Sequence, residues 1–352
     1  LRVMVIDDSV VFRLALYKIL ESLPEISEVQ VATGGNVGLE KMAAGPVDLV
    51  FCDIEMPLDD GDGITALQKM KRDFPTTGVV MVSSMHEGLA RKTIKSLFIG
   101  AVDFIPKPAG EDQKENEKYL RRMVRPIISM FSTRKYTSAI FEIQAPDAGE
   151  KTANIPAGKK IHAVCIGGAT GGPQILQKII PELPMPLNVP IFIVQHMQSL
   201  FTQSLAECLQ ELSAAPVKEA EDGEKVERGH IYIAPGASHL TLQQGSSNGD
   251  HVLCLNDGPP VNFAKPSIDV FLKSVASEFR GDVLSVILTG MGKDGMEGVK
   301  ALKEKGGVAI VQDRLTAVIA GMPESVVNAG CADEILPGGD IGVRIREIIS
   351  RN

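Results

Sequence analysis

Short apolar runs alternate with amphipathic segments through the first third of the chain. The runs VMVI, VQVA, LVFC, VVMV and VDFIP have the length and composition of buried strands. Between and after them, apolar residues recur at helical spacing over residues 11–23, from residue 37, and over residues 63–73, 89–99 and 119–131. Five strands that alternate with five helices predict an α/β domain built on a doubly wound parallel sheet.

A second alternation of the same kind follows a change in composition. Residues 134–159 are rich in small and polar residues, Pro and Gly, which is typical of a linker. The runs HAVCIGG, VPIFIVQ, HIYIAPG, VLSVILTG and GVAIVQD then predict a second doubly wound parallel sheet, and residues 245–249 predict a β-hairpin between HLTLQQ and HVLCLND. We therefore predict a first domain over residues 1–125, a linker over 126–157 and a second domain over 158–350.

The composition agrees with two globular domains and excludes several function classes. The 352 residues suffice for about two domains, and 44% apolar and 23% charged residues are ordinary values. A net charge of −8 argues against nucleic acid as a partner. Five widely spaced cysteines fit neither a disulfide framework nor a zinc site. Since the chain has no apolar run of about 18 residues and no signal-peptide core, we predict a cytoplasmic protein without direct membrane insertion.

In the first domain, polar residues stand where the predicted strands end. Asp7 and Asp8 follow VMVI, Asp53 follows LVFC, Ser83 closes VVMVS, and Lys107 follows VDFIP. Because the carboxyl ends of parallel strands share one edge of a sheet, these side chains are predicted to form one pocket.

The predicted pocket has the chemistry of a phosphoryl acceptor. Clustered carboxylates repel one another, and Mg²⁺ needs only one or two carboxylates beside water and phosphate oxygens. We predict that Asp7 and Asp8 bind Mg²⁺, that Asp53 is the nucleophile, and that Lys107 pairs with the phosphoryl group. The alternative is that each Asp only caps a helix, but this does not explain why several successive strand ends carry suitable residues.

The motifs VIDDS, FCDIEMP, MVSS and DFIPKP resemble those of response-regulator receiver domains over residues 1–125. The resemblance implies a flavodoxin-like fold and phosphorylation of Asp53 by a histidine kinase. The implied switch residues are Ser83, Phe104 and Lys107, and the implied Mg²⁺ ligands are Asp7, Asp8, Asp53 and the backbone of Glu55. The loop PLDDGDGI after Asp53 is two residues longer than is usual for the family, which leaves its local geometry open.

The second domain carries part of a hydrolase constellation. The turn GGATGGP (residues 167–173) joins a strand to a helix, so its N–H groups could hold an oxyanion. His196 follows one strand and Asp294 follows another, and an imidazole oriented by a carboxylate is a general base. The nucleophile is missing, because residue 169 is alanine.

Six motifs of this domain, IGGATGGP, IVQHM, GHIYIAPGASHL, KPSIDVFLKSVA, VILTGMGKDG and AVIAGMPESVV, resemble the chemotaxis protein-glutamate methylesterase (CheB) family over residues 158–350. The resemblance implies a hydrolase, without a cofactor in its own site, that cleaves glutamyl methyl esters and deamidates glutamines on the cytoplasmic helices of chemoreceptors. It also implies a chemotaxis-type kinase as phosphodonor. By resemblance His196 is the base, Asp294 orients it, and Thr170 and the backbone of Met291 hold the substrate carbonyl and its oxyanion.

The same family has serine where this chain has Ala169. A methyl group has neither a lone pair nor a removable proton, so no acyl-enzyme can form through it. Two explanations stay open: an introduced Ser-to-Ala change that disables an enzyme, which we favour because His196 and Asp294 are intact, or a naturally noncatalytic, phosphorylation-gated receptor-binding regulator. The remaining histidines are interpreted as turn, cap or surface residues because they lack metal-ligand spacing, and the minor alternative for His239 is a position that faces the cleft.

Overall fold

We describe the chain from a computed structural model over residues 1–57, 62–110, 112–132, 155–156, 158–247, 250–279 and 281–350. It divides into two compact units, the first within Leu1–Ile143 and the second within Gln144–Asn352. Both are α/β units with parallel sheets, as the alternation predicts. No helix in the described ranges combines the length and the apolarity needed to cross a membrane.

The first unit is built on a five-stranded parallel sheet in the order β2-β1-β3-β4-β5. The strands are β1 (Arg2–Ile6), β2 (Glu28–Ala32), β3 (Leu49–Asp53), β4 (Gly78–Ser83) and β5 (Asp103–Pro106). The helices are α1 (Val10–Glu21), α2 (Gly35–Ala44), α3 (Gly63–Asp73), α4 (Glu87–Ile99) and α5 (Gln113–Ser132). The central strands β3 and β4 are buried along their whole length, which explains why they are continuous apolar runs.

The helices α1 and α3 begin at polar caps next to strand ends. Ser9 Oγ accepts a hydrogen bond from the N–H of Phe12 at 3.4 Å, and Asp62 Oδ1 accepts one from the N–H of Thr65 at 2.6 Å. These side chains satisfy donors that the first helical turn leaves unpaired. Capping thus fixes where each helix starts relative to the strand end before it.

The predicted domain boundary after residue 125 is corrected by α5. This helix continues through Pro126 to Ser132, and Ile127, Ile128 and Phe131 are buried in the first unit. Burial of this apolar face outweighs the hydrogen bond that a proline removes from a helix. Residues 126–132 are therefore helix, while residues 133–154 and 157 of the predicted linker lie outside the described residues.

The linker prediction also extends too far at its other end. Ile155 is buried, and its N–H donates to Glu334 Oε1 at 3.1 Å within the second unit. Arg344 approaches the same carboxylate, with its Nη2 at 2.6 Å from Oε1. Residue 155 is thus bound to the second unit, although the sequence around it lacks the periodicity of a core element.

The second unit contains a seven-stranded parallel sheet in the order β15-β14-β13-β6-β7-β10-β8. Its strands are β6 (Ala163–Gly168), β7 (Ile191–Gln195), β8 (Val217–Glu219), β10 (Ile231–Ile233), β13 (Val283–Ile287), β14 (Val308–Gln312) and β15 (Glu334–Leu336). The helices are α6 (Gly172–Ile179), α7 (Ser199–Gln210), α8 (Ile268–Glu278), α9 (Met296–Glu304), α10 (Gly321–Asn328) and α11 (Ile341–Ile349). The order places β6 between β7 and β13, so the segments that follow these three strands share one edge.

The predicted hairpin is confirmed and belongs to a separate antiparallel sheet. Strands β11 (His239–Gln244) and β12 (His251–Asn256) pair in register, and β9 (Glu224–Lys225) adds to β12. Leu240, Leu242 and Leu253 point into the same core as the large sheet. The hairpin is thereby packed against the unit whose candidate site lies at the ends of β6, β7 and β13.

Candidate functional site

In the first unit, the carboxylates predicted to converge do so. One oxygen each from Asp7, Asp8 and Asp53 lies within 4.8 Å of the others. Lys107 Nζ lies 2.7 Å from Asp53 Oδ2 and 2.9 Å from Asp7 Oδ2. Three carboxylates facing one ammonium group leave an excess of negative charge in the pocket.

Burial makes this excess charge costly. It raises the pKa of Asp53 to about 6, and the negative charge of Asp7 adds to the effect while Lys107 opposes it. Burial likewise raises the pKa of Asp7, against the lowering effect of Lys107. A divalent cation fits this oxygen-rich set, because it would supply the charge that one lysine does not.

Main-chain donors orient the two buried carboxylates. Asp7 Oδ1 accepts from the N–H of Ser9 at 2.8 Å, and Asp53 Oδ1 accepts from the N–H of Glu55 at 3.2 Å. Glu55, implied as a backbone ligand, is thus held beside Asp53. The remaining carboxylate oxygens face Lys107.

The predicted switch residues Ser83 and Phe104 lie on β4 and β5, the two strands that follow β3 in the sheet. Ser83 ends β4 and is buried; its hydroxyl accepts from Thr93 Oγ1 at 2.8 Å and donates to the carbonyl of Ser84 at 3.2 Å. Its hydroxyl is therefore bonded to α4 and its own loop, whereas its carbonyl accepts from the N–H of Lys107 at 2.8 Å. Phe104 lies on β5 opposite Met81 and is 8% exposed.

In the second unit, His196 and Asp294 form a close pair at the ends of β7 and β13. His196 Nε2 lies 2.7 Å from Asp294 Oδ2, and the N–H of His196 donates to the carbonyl of Gly168 at 2.9 Å. If Nε2 carries the proton toward the carboxylate, Nδ1 keeps a free lone pair. The pair therefore has the arrangement of an oriented general base, with Nδ1 as the basic atom.

Asp294 is held as a carboxylate by many donors. Its Oδ1 accepts from Ser267 Oγ at 2.8 Å and from Asn262 Nδ2 at 3.1 Å, and its Oδ2 accepts from the N–H of Ile268 at 2.7 Å. Burial by itself would raise the pKa of Asp294, but the hydrogen bond and charge of His196, with those donors, lower it to about 2. Asp294 thus stays ionised at any physiological pH.

Residue 169 sits on a turn whose backbone is fixed at several points. The N–H of Ala169 donates to the carbonyl of Thr289 at 3.0 Å, and its carbonyl accepts from Gln195 Nε2 at 2.8 Å. Gly171 has φ +82°, a conformation that favours glycine. At Gly290, a side chain would put its Cβ 2.8 Å from the Ala169 Cβ, so the loop after β13 passes directly against residue 169.

The other two predicted site residues lie on the same loops. The carbonyl of Thr170 accepts from Thr289 Oγ1 at 3.0 Å, which joins the turn after β6 to the loop after β13. Met291 follows Gly290, and its side chain is 55% exposed. Thr170 is therefore part of the turn that carries residue 169, and Met291 follows the glycine that approaches this turn.

Several residues that complete this site were not predicted. Asn262, Ser267 and Asp269 surround Asp294, and Gln195 and His239 are buried nearby. The interpretation of His239 as a turn, cap or surface residue is wrong, because it is a buried strand residue that bonds to two loop segments. The sequence offered one clue to Ser267. In the motif KPSIDVF it directly precedes an apolar helical run, as a helix N-cap does, and the structure has it as the N-cap of α8.

The sequence matches two known families along these units. Residues 164–345 match the CheB methylesterase family, and residues 3–117 match the response regulator receiver domain. The chain belongs to the CheB methylesterase family. This confirms the resemblance of both domains that the motifs indicated.

Relatives of this CheB-family chain match it from end to end. A protein-glutamate methylesterase/protein-glutamine glutaminase of Thermotoga maritima is 39% identical over 351 residues, covering 99% of this chain and 98% of that protein. One of the same name from Trichodesmium erythraeum is 38% identical over 341 residues, covering 96% and 95%. The crystal structure of the Thermotoga maritima CheB methylesterase catalytic domain is 43% identical, with a TM-score of 0.52, and covers 54% of this chain and 99% of that one.

Proposed function

We propose that this chain is built as a phosphorylation-controlled hydrolase of glutamyl methyl esters, and deamidase of glutamines, on chemoreceptor cytoplasmic helices, and that Ala169 leaves it catalytically disabled. The observation that carries the proposal is the complete His196–Asp294 pair beside a turn whose residue 169 has only a methyl group. Two contacts support His196 as an oriented base, its ring bond to Asp294 and its main-chain bond to the carbonyl of Gly168. Only the nucleophilic oxygen is absent from residue 169.

With serine at residue 169, the proposed reaction runs in two steps. Its Oγ attacks the ester carbonyl carbon while His196 Nδ1 takes the hydroxyl proton, and Asp294 stabilises the imidazolium. The tetrahedral intermediate collapses, the C–O bond to methanol breaks, and His196 returns the proton to the leaving oxygen. Water then attacks the acyl-enzyme by the same route and releases the glutamate carboxylate with the restored serine.

Restoring the nucleophile tests this proposal. We expect Ala169→Ser to release methanol from methylated receptor at least about a hundredfold faster than the parent chain, because nucleophile loss leaves only a residual effect of binding and oxyanion contacts. The double variant with His196→Ala is the matched control and is expected to stay inactive. Continued inactivity of Ala169→Ser would contradict the proposal.

The alternative function is a noncatalytic, phosphorylation-gated regulator that binds chemoreceptors. Ala169 itself is the observation that favours it. On that reading the chain binds receptor in response to phosphorylation, and restoring serine produces no hydrolysis. The same methanol assay therefore separates the two functions.

For the first unit, we propose that Asp53 accepts a phosphoryl group from a chemotaxis-type histidine kinase. Asp7, Asp8, Asp53 and the Glu55 backbone would hold Mg²⁺, which when bound neutralises phosphoryl and carboxylate charge. Lys107 would exchange its contact with Asp53 for one with the phosphoryl oxygens.

Labelling of the chain by an acyl phosphate tests the assignment of Asp53. We expect the label to require Mg²⁺ and to be lost in Asp53→Ala but kept in Asp73→Ala, which changes an exposed carboxylate on α3 of the same unit. Labelling that persists in Asp53→Ala would overturn the assignment.

A further inference from the structure

The loop between β12 and α8 carries an aromatic residue in a strained turn. Val261 and Ala264 pair through two main-chain hydrogen bonds of 3.1 and 2.9 Å, which leaves Asn262 and Phe263 as the two central residues. Both have positive φ, 52° and 64°, as a type I′ turn requires. Asparagine tolerates this conformation, but the second central position favours glycine and here is phenylalanine.

The side chain of Phe263 gains no packing in return for this strain. Its relative exposure is 105%, the highest of the large hydrophobic side chains that the structure describes. A strained backbone and an exposed aromatic ring both oppose stability, so the fold does not account for this residue. The combination points to a contact outside the chain.

The turn is attached to Asp294, the carboxylate that orients His196. Asn262 Nδ2 donates to Asp294 Oδ1 at 3.1 Å and to Asp269 Oδ2 at 2.8 Å. Phe263 is one Cα–Cα step, about 3.8 Å, farther along the chain. The turn that displays Phe263 is therefore anchored to the carboxylate that orients His196.

The loop that displays Phe263 is also fixed at both ends. Buried His239 lies with Nε2 3.0 Å from the carbonyl of Pro259, and its Nδ1 accepts from the N–H of Ser267 at 3.1 Å. One neutral tautomer, protonated at Nε2, serves both contacts. The ring is thus presented by a preorganised loop, which lowers the entropy lost when a partner binds.

We propose that Phe263 is a substrate-contacting residue that binds an apolar side chain of the receptor helix next to the esterified glutamate. The inference rests on the proposed function, since the partner is the protein whose ester enters the site. A helical substrate presents neighbouring side chains about 5.4 Å away, one turn along its axis, and an exposed ring on a loop anchored to Asp294 is suited to contact one of them. A small free ester lacks that surface.

Binding of methylated receptor by the chain as it stands gives the first test, because Ala169 prevents turnover. With acyl phosphate and Mg²⁺ present, we expect Phe263→Ala and Phe263→Gly to weaken binding about tenfold. Met185→Ala is the matched control, because Met185 is 57% exposed and precedes β7, at the opposite edge of the sheet. It is expected to bind like the parent.

The glycine variant separates contact loss from misfolding. Glycine suits the turn, so Phe263→Gly is expected to melt at a temperature equal to or up to about 4 °C above that of the parent while binding receptor more weakly. Parent-like binding by both Phe263 variants would overturn the proposal. Self-association of the parent that is lost in Phe263→Ala would also overturn it, because it would assign the ring to a contact between two copies of the chain.

Kinetics in the Ala169→Ser background give the second test. We expect Phe263→Ala to lower kcat/KM for methylated receptor about tenfold relative to kcat/KM for a small glutamate methyl ester. An equal loss on both substrates would overturn the proposal, because it would show an effect through Asp294. If the parent binds no receptor and Ala169→Ser hydrolyses none, the proposed function itself is refuted and this inference falls with it.

Discussion

At the scale of single residues, Asp53 and Asp294 show how surroundings decide what a carboxylate does. Both are about 1% exposed. Asp294 faces donors from His196 and from the loop that begins α8, so its pKa falls to about 2. Asp53 is buried next to the carboxylate of Asp7, and these two effects outweigh Lys107 and raise its pKa to about 6. Asp294 is a fixed anion, whereas the negative charge of Asp53 is one that a cation can stabilise.

The lowered pKa of Asp294 predicts a pH-dependent contribution to stability. Since its folded pKa lies below the ordinary value of 3.8, the contribution is present above that value and is lost as pH falls toward about 2. We expect Asp294→Asn to lower the free energy of unfolding by about 2 kcal/mol at pH 7 and by less at pH 3. Calorimetry, with exposed Asp257→Asn as control, measures this; an equal loss at both pH values would contradict it.

The raised pKa of Asp53 predicts proton competition with Mg²⁺. With a pKa of about 6, roughly a quarter of Asp53 is ionised at pH 5.5 and nearly all at pH 7.5. We therefore expect Mg²⁺ to bind about fourfold more weakly at pH 5.5, measured by titration calorimetry. Equal affinity at the two pH values would show that Asp53 does not govern cation binding.

At the scale of elements, close approaches position the reactive side chains. A Cβ at Gly63, the first residue of α3, would lie within 1.9 Å of the carbonyl oxygen of Asp53. The start of α3 is thus packed against the end of β3, where the candidate phosphoacceptor lies. In the second unit, the backbone of Gly290 likewise passes close to the side chain of residue 169.

Gly63→Ala is expected to destabilise the first unit by about 1 to 3 kcal/mol and to slow labelling of Asp53, because backbone must move away from the added methyl. Gly45→Ala is the matched control, since an added Cβ meets nothing within 4 Å there and its φ of −169° is ordinary extended backbone. Urea unfolding followed by circular dichroism gives the comparison. Equal stability of the two variants would disprove the packing argument.

The last turn of α5 is expected to contribute strongly to the stability of the first unit. Phe131 is 5% exposed, and its ring packs against Gly78 at the start of β4. We expect Phe131→Ala to cost about 3 to 5 kcal/mol, because it leaves a cavity, whereas exposed Ser129→Ala stays within about 0.5 kcal/mol of the parent. Chemical denaturation measures both; a Phe131→Ala chain of parental stability would place the end of the first domain before residue 131.

At the scale of the whole molecule, each unit has its candidate site at the carboxyl edge of a parallel sheet, and the chain matches both a receiver domain and the CheB methylesterase family. We expect acyl phosphate and Mg²⁺ to increase methanol release by the Ala169→Ser chain severalfold. Asp53→Ala in that background is expected to abolish the increase, whereas Asp73→Ala keeps it. Stimulation that persists without Asp53 would contradict phosphorylation control through this residue.

The sequence by itself determined the two α/β sheets and the main reactive positions. Strand topology requires that residues after Ile6, Cys52 and Pro106 meet, so Asp7, Asp53 and Lys107 could be predicted without coordinates. The sequence also showed the absence of a nucleophile at Ala169, because side-chain chemistry does not depend on the fold.

Only the tertiary structure decided what surrounds those positions. Asn262 and Ser267 contact Asp294 across about 30 residues of chain, and His239 bonds to both ends of a loop with no periodic pattern. The helical pattern of the sequence already extends past Pro126, but only the structure shows that Phe131 near the helix end is buried in the first unit. Such contacts arise from the packing of distant segments, whose hydrogen-bond partners and burial are fixed only when the core is assembled.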